Sequence, residues 1–179
     1  MTGTAVAASA VEFSTLTTIE DFDELRPEWD ELVRAMPRPS PFLLHSWLSA
    51  WWREYGADTE LAVHIARRDG ALIGALPLLV RRRLGLDVTT FVGRGQSALA
   101  DMLLAPSADA TVASRLAERL SDRGAGYLDV YGLPQSSRLH AALGRELQLV
   151  ERVEAPVLDL TPSWGEVYAE KTSSKKRNL

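Results

Sequence analysis

The stretch from Leu61 to Arg83 constrains the fold of this chain more than any other. Leu61, Val63 and Ile65 alternate with Ala62, His64 and Ala66, then Asp69-Gly70 follows and an apolar run resumes from Ala71 to Arg83. That alternation has the two-residue period of a strand. Asp-Gly accepts the left-handed backbone of a two-residue turn, so the segment predicts an antiparallel hairpin. Pro77 falls in the second arm and donates no amide, which predicts a bulge or an edge position there instead of an uninterrupted central strand.

The flanking sequence supplies the other elements. Val11 to Thr18 is rich in β-branched and aromatic residues and predicts a first strand. Phe22, Leu25, Trp29, Leu32, Val33 and Met36 then recur at helical spacing, with Pro27 starting or kinking the helix and Pro37, Pro39 and Pro41 ending it. Leu44, Trp47, Leu48, Trp51 and Tyr55 mark a second helix, closed by Gly56. Short strands follow at Leu86 to Val92 and Asp101 to Ala105, separated by a Gly93-Arg94-Gly95 turn. A helix through Val112, Ala113, Leu116 and Leu120 ends at Gly124 and Gly126, and Tyr127 to Tyr131 is a compact strand. Leu139 to Leu147 predicts a short helix broken by Gly144, and Leu149 to Val153 and Pro156 to Leu160 are expected to complete the sheet. The class is mixed α/β (α+β), with a mainly antiparallel sheet flanked by helices. Residues 1–10 read as a loose tail, 11–162 as one domain and 163–179 as a basic connector.

Composition excludes several functions. At 179 residues, with 46% hydrophobic and 25% charged residues, the chain can build one well-cored domain. A net charge of -4 argues against a dedicated nucleic-acid binder. The absence of cysteine rules out disulfides, thiolate metal sites and a cysteine nucleophile. Histidines 45, 64 and 140 lack ligand-like spacing, so no metal is expected. Ala8-Ser9-Ala10 follows too short an apolar stretch, with no preceding Lys or Arg, to be a signal peptide. No run approaches 18 apolar residues, and the expectation is a cytoplasmic protein with no membrane span.

Certain words in this order resemble a known family. They are Trp29-Asp30-Glu31-Leu32, Pro41-Phe42-Leu43, Trp47-Leu48-Ser49-Ala50-Trp51-Trp52, Gly74-Ala75-Leu76-Pro77-Leu78, Leu133-Pro134-Gln135-Ser136-Ser137, and Lys171 to Leu179. Together they resemble the GNAT superfamily of acyl-CoA-dependent acyltransferases. More narrowly they look like its cellulose-biosynthesis acetyltransferase (CelD/BcsL-type) branch, related to FemAB-like transferases. The resemblance implies a GNAT-like fold and transfer of an acetyl or other acyl group from coenzyme A to an amine. The acceptor would be a polysaccharide precursor, a peptidoglycan peptide or a small amine. It also implies a tandem arrangement, with this chain as the front half and the partner a C-terminal GNAT domain or a second GNAT chain. The alternative is a degenerate GNAT-fold module that scaffolds a partner and catalyses nothing.

The resemblance also directs attention to particular residues. In GNAT domains the cofactor pyrophosphate rests on backbone amides at the start of the helix after the fourth strand. The corresponding stretch here, Leu104 to Ala110, has no glycine, a proline at Pro106 and an anion at Asp109. Acetyl-CoA, or another acyl-CoA, is therefore expected on the missing half. Arg94 and Gly95 are the substitute cofactor-binding candidates, against a plain turn with a solvated arginine. Asp101 matches an acidic family position and is a candidate substrate contact, against a turn-stabilising carboxylate. Trp47 and Trp51 share a helical stripe that predicts burial, which leaves Trp52, off the stripe, as the exposed contact candidate. Tyr131, at a strand end, and Gln135 are candidates to line a cleft. Arg81-Arg82-Arg83 is either a phosphate-attracting patch or a solvated strand end. His45 and His64 are the general-base candidates, and no catalytic residue is assigned. The basic tail from Lys171 is expected to dock on the second half.

Overall fold

The computed structural model describes residues 10–120, 126–144, 148, 150–154 and 161–169. The chain divides into two compact units, residues 1–147 and 148–179. The first holds β1 (Val11–Leu16), α1 (Ile19–Glu24), α2 (Arg26–Arg34), α3 (His45–Tyr55), β2 (Glu60–Arg68), β3 (Ala71–Arg83), β4 (Leu86–Phe91), β5 (Leu103–Leu104), α4 (Ala110–Glu118), β6 (Tyr127–Leu128) and α5 (Arg138–Leu143).

The hairpin expected around Asp69-Gly70 forms the middle of the sheet. Asp69 at φ 52° and Gly70 at φ 79° make the left-handed turn, and β2 pairs antiparallel with β3. Strand order is β1-β2-β3-β4-β6, with β5 on β3, and every pairing is antiparallel except β4 with β6. A second tight turn at Leu84 and Gly85 links β3 to β4.

Helices cover both faces, which explains why β3 reads as nearly continuous apolar sequence. Val63, Ile65, Ala75 and Leu79 pack with Phe22, Trp29 and Leu48 of α1, α2 and α3. Leu76, Leu78, Val80 and Phe91 face the other way, onto Val112 and Leu116 of α4 and Leu139 of α5. Each large apolar side chain so buried contributes about 1.5–3 kcal/mol.

Pro77 corrects the sequence expectation. It lies in a central strand opposite Val63, and the register shift in this hairpin falls instead between Ala66 and Arg67, where β3 carries the extra residue Ile73. Beyond β3, β4 pairs with residues 78–83 and β5 with residues 74–75. Pro77 sits at the seam between them, its carbonyl accepting from Val92 N–H at 3.0 Å. In an antiparallel strand a residue's amide and carbonyl point to the same side, so the missing donor faces that seam, where no ladder bond is lost.

Pro27 occupies the first turn of α2, and Leu25 separates that helix from α1, so of the two roles expected for Pro27 it starts a helix, and the single apolar pattern is two helices. β6 is shorter than the predicted Tyr127–Tyr131 strand. Of the two closing strands expected, residues 150–154 form none among the described residues, and Pro156 to Leu160 lie outside them. The second unit contains α6 (Trp164–Ala169), whose start is closed by Ser163 and Glu166 hydrogen-bonding each other. The basic residues from Lys171 onward lie outside the described residues. Among the described residues no helix is long and apolar enough to cross a membrane, and no acidic or histidine cluster is placed to hold a metal.

Candidate functional site

A groove of about 290 Å³ opens on the sheet where α1–α3 no longer cover it, and strand registry explains its lining. Arg81 stands opposite Val88, and Val88 opposite Tyr127, so one row runs Arg81, Val88, Tyr127 across three strands. Side chains two residues apart share a face. The same wall therefore gathers Arg83 and Leu86 at one end, and Thr90 and Asp129 at the other. Arg94 closes the far end, where its guanidinium hydrogen-bonds Asp129 Oδ2.

The two parallel strands separate at this far end. The last bond between them is Asp129 N–H to Thr89 O at 2.9 Å. Past it, Thr90, Phe91 and Val92 line one side of a small gap of about 10 Å³ and Tyr131 the other, with Arg94 and Ser97 between. That gap holds no more than one water. Thr90 is 2% exposed and its hydroxyl has no hydrogen-bond partner among the described residues, although the residue borders both the gap and the groove. Tyr131 is half exposed.

The 93–97 loop beside the gap is fastened to α3. Trp47 Nε1–H donates to Ser97 Oγ at 2.9 Å and Trp51 Nε1–H to Gln96 Oε1 at 2.6 Å. The tryptophans thus act through their indole donors. Trp51 is buried as expected, but Trp47 is 37% exposed. Trp52, the expected exposed contact, is half-buried against the α1–α3 core and against Gly56, where an added Cβ would lie 2.7 Å from its ring. The helix turns Trp47 outward instead, edge-on to Phe42 at 5.3 Å.

Asp101 lies apart from the groove, buried beneath α5. Its Oδ1 accepts from Ser137 Oγ–H at 2.7 Å, Met102 N–H at 2.8 Å and Leu139 N–H at 3.2 Å, and its Oδ2 from Arg138 N–H at 3.2 Å. With these acceptor sites engaged it organises the start of α5. Gln135 is exposed on the turn leading to that helix. Gly95 takes φ 89° in the open part of the 93–97 loop. Of the sequence candidates, Arg94 meets Arg81 and Arg83 in the groove and Tyr131 at the gap, while Arg82, Trp52, Asp101 and Gln135 line neither.

Neither base candidate reaches the groove. His45 is buried under α1, its Nε2–H donating to Phe22 O at 3.0 Å. Burial holds its pKa below the ordinary histidine value, opposed by the Phe22 carbonyl and by Asp23. His64 Nδ1 meets Thr15 Oγ1 at 2.7 Å.

The start of α4, where the resemblance would place cofactor phosphates, is already capped by an anion. Asp109 Oδ1 accepts from Thr111 N–H at 2.9 Å and Val112 N–H at 3.1 Å, while Arg68 approaches Oδ2 at 3.6 Å. A phosphate there would have to displace a covalently attached carboxylate and withstand its charge. The residues present do not fit acyl-CoA phosphates at this helix end.

Sequence reasoning missed Thr90, Tyr127 and Asp129 as companions of Arg81 and Arg94. Tyr127 and Asp129 alternate on one strand, but their neighbours across the sheet follow from the parallel pairing of β6 with β4, which short-range pattern does not encode.

No protein-family model matches the chain, and no curated protein matches it in sequence. Among solved structures, ribosomal-protein-alanine N-acetyltransferase from Brucella melitensis biovar Abortus 2308 is 17% identical, with TM-score 0.48, over 84% of this chain and 100% of that one. An acetyltransferase of Trypanosoma brucei is also 17% identical, with TM-score 0.46, over 83% and 100%. An aminoglycoside acetyltransferase from an uncultured soil metagenomic sample, solved with sisomicin, is 10% identical, with TM-score 0.42, over 86% and 97%. At these values the chain's own geometry has to carry any functional reading. That geometry is a mixed α+β domain whose mainly antiparallel six-stranded sheet opens a groove beside the parallel pair β4–β6.

Proposed function

We propose that this chain serves a GNAT-type N-acyltransferase, in which an acyl group passes from coenzyme A to an amine, and that it shapes the acceptor side. The reading is supported by the order of elements: a strand, helices, an antiparallel run, then a crossover helix leading to a parallel strand that diverges from its neighbour. It is the order that the sequence resemblance implies. The polysaccharide or cell-envelope setting belongs to the same resemblance.

The observation that divides the labour is Asp109. The capping of the α4 amides from within supports a placement of the acyl-CoA phosphates on a second domain of the same fold, joined to this one or separate. The same observation favours a second reading for the chain by itself, as a non-catalytic scaffolding module.

One experiment separates these. The chain is purified from its own cells with whatever accompanies it, and release of free coenzyme A thiol from acetyl-CoA is followed with a panel of amines. The proposal expects amine-dependent release by the accompanied chain and none by the isolated chain. Release by the isolated chain overturns the division of labour. No release from either preparation overturns the acyltransferase reading and leaves the scaffold.

A further inference from the structure

We propose that the Arg81–Arg83 groove binds an organic phosphate that carries an amine at its other end. Three features of the groove lead there. Arg81 and Arg83 project from alternate positions of β3, about 6.6 Å apart along the strand. Neither has a carboxylate partner among the described residues, whereas Arg94, the third arginine, is paired with Asp129. Two guanidinium groups without a carboxylate partner among the described residues, on a protein of net charge -4, make this end of the groove attractive to an anion. Guanidinium forks match phosphoryl oxygens better than they match water.

Between the ends, Val88 and Leu86 form an apolar floor, with Tyr127 beside it. This suits an uncharged body a few carbons long or a single ring, and 290 Å³ accommodates one. The far end then offers Thr90 and Asp129. Buried hydroxyls are ordinarily hydrogen-bonded, and Thr90 Oγ1 is one of two buried side-chain atoms without a partner among the described residues. Arg94 engages Asp129 through Oδ2, so Oδ1 remains for a second donor. An ammonium group donates directly to Asp129 Oδ1 and, because the Thr90 hydroxyl is buried, engages it through a water in the adjoining gap of about 10 Å³. A ligand with phosphate at one end and amine at the other therefore satisfies both ends at once. As the acceptor of acyl transfer this ligand rests on the acyltransferase reading. As a bound ligand it does not.

The test is calorimetric titration of the full chain with phenyl phosphate and with 4-(aminomethyl)phenyl phosphate, at low and at 0.3 M-scale salt. Both probes should bind saturably at low salt, the amine-bearing one about tenfold more tightly, and both should weaken as salt rises. Arg81→Gln and Arg83→Gln should each lose about tenfold, the loss of one charge-assisted hydrogen bond. Arg82→Gln, on the opposite face of the same strand, should bind as the native chain does, and Thr90→Val should erase the advantage of the amine. Absence of saturable binding, equal affinity for the two probes, or an equal loss from Arg82→Gln would overturn the proposal. No acyl donor enters the titration, so it succeeds or fails independently of acyl transfer.

Discussion

Replacing Asp101 separates a structural carboxylate from a substrate contact. Asp101 is 6% exposed and receives four hydrogen bonds, three on Oδ1 and one on Oδ2. Asp101→Ala strands the Ser137 hydroxyl and the Met102 and Leu139 amides away from water, whereas the Arg138 amide is nearer the surface and can be rehydrated. Three orphaned donors at about 1–1.5 kcal/mol each give a loss of about 3–4.5 kcal/mol. Asp101→Asn keeps Oδ1 as acceptor for three donors and loses only the Arg138 bond and the charge, a cost of about 1–2 kcal/mol. Urea unfolding followed by circular dichroism measures both, with the slope checked for constancy so that the midpoint reports stability. The order should be native, then Asn, then Ala. A loss below about 0.5 kcal/mol for Asp101→Ala would refute the assignment of this carboxylate to the start of α5.

Three further outcomes follow from contacts elsewhere. Arg67 grips Glu28 with two hydrogen bonds of 2.8 Å, which with the Leu72 amide hold the Glu28 pKa below 4.5 despite partial burial. A depressed carboxylate pKa stabilises above the unfolded value and loses that contribution as pH falls through the folded one. Glu28→Gln should therefore cost about 0.5–1 kcal/mol at pH 7, screened because the side chain is part-exposed, and progressively less in unfolding measured as pH falls below about 4.5. His45 has its pKa lowered by burial, so the unfolded chain takes up a proton first and stability should fall as pH drops below about 6.5. His45→Gln should flatten that slope between about pH 7 and 5.5 in a series of urea melts. Gly93 has φ 97°, and an added Cβ would lie 2.3 Å from Ser97 Oγ, whereas Gly95 at φ 89° faces open space. Gly93→Ala should cost about 2–3 kcal/mol and shift the tryptophan emission as the Ser97 and Gln96 contacts loosen, while Gly95→Ala should cost about 1 kcal/mol and leave the emission unchanged.

The central hairpin was legible because its evidence is local: two-residue alternation and an Asp-Gly turn sit within one continuous stretch. The separation of α1 from α2 was partly legible through Pro27, a residue whose geometry limits where it can stand. Pro77 misled for an instructive reason. Its lack of an amide predicts an edge, but a central strand bordered by two successive partners offers the same tolerance at their seam. Trp47 and Trp52 misled because helical spacing separates stripes without saying how far a neighbouring loop reaches over them. The groove was the least legible part. Arg81, Val88 and Tyr127 are far apart in sequence and meet only through the β3–β4 and β4–β6 registers. Asp109 was legible as an anion at the expected phosphate position, but its capping of the Thr111 and Val112 amides is visible only in the structure.

Titration of the isolated chain with acetyl-CoA tests the central claim most directly, because that claim places the donor's phosphates away from the capped start of α4. The account predicts no saturable heat at ligand concentrations up to about 1 mM, which is to say an affinity weaker than about -4 kcal/mol. A saturable isotherm in that range would contradict it.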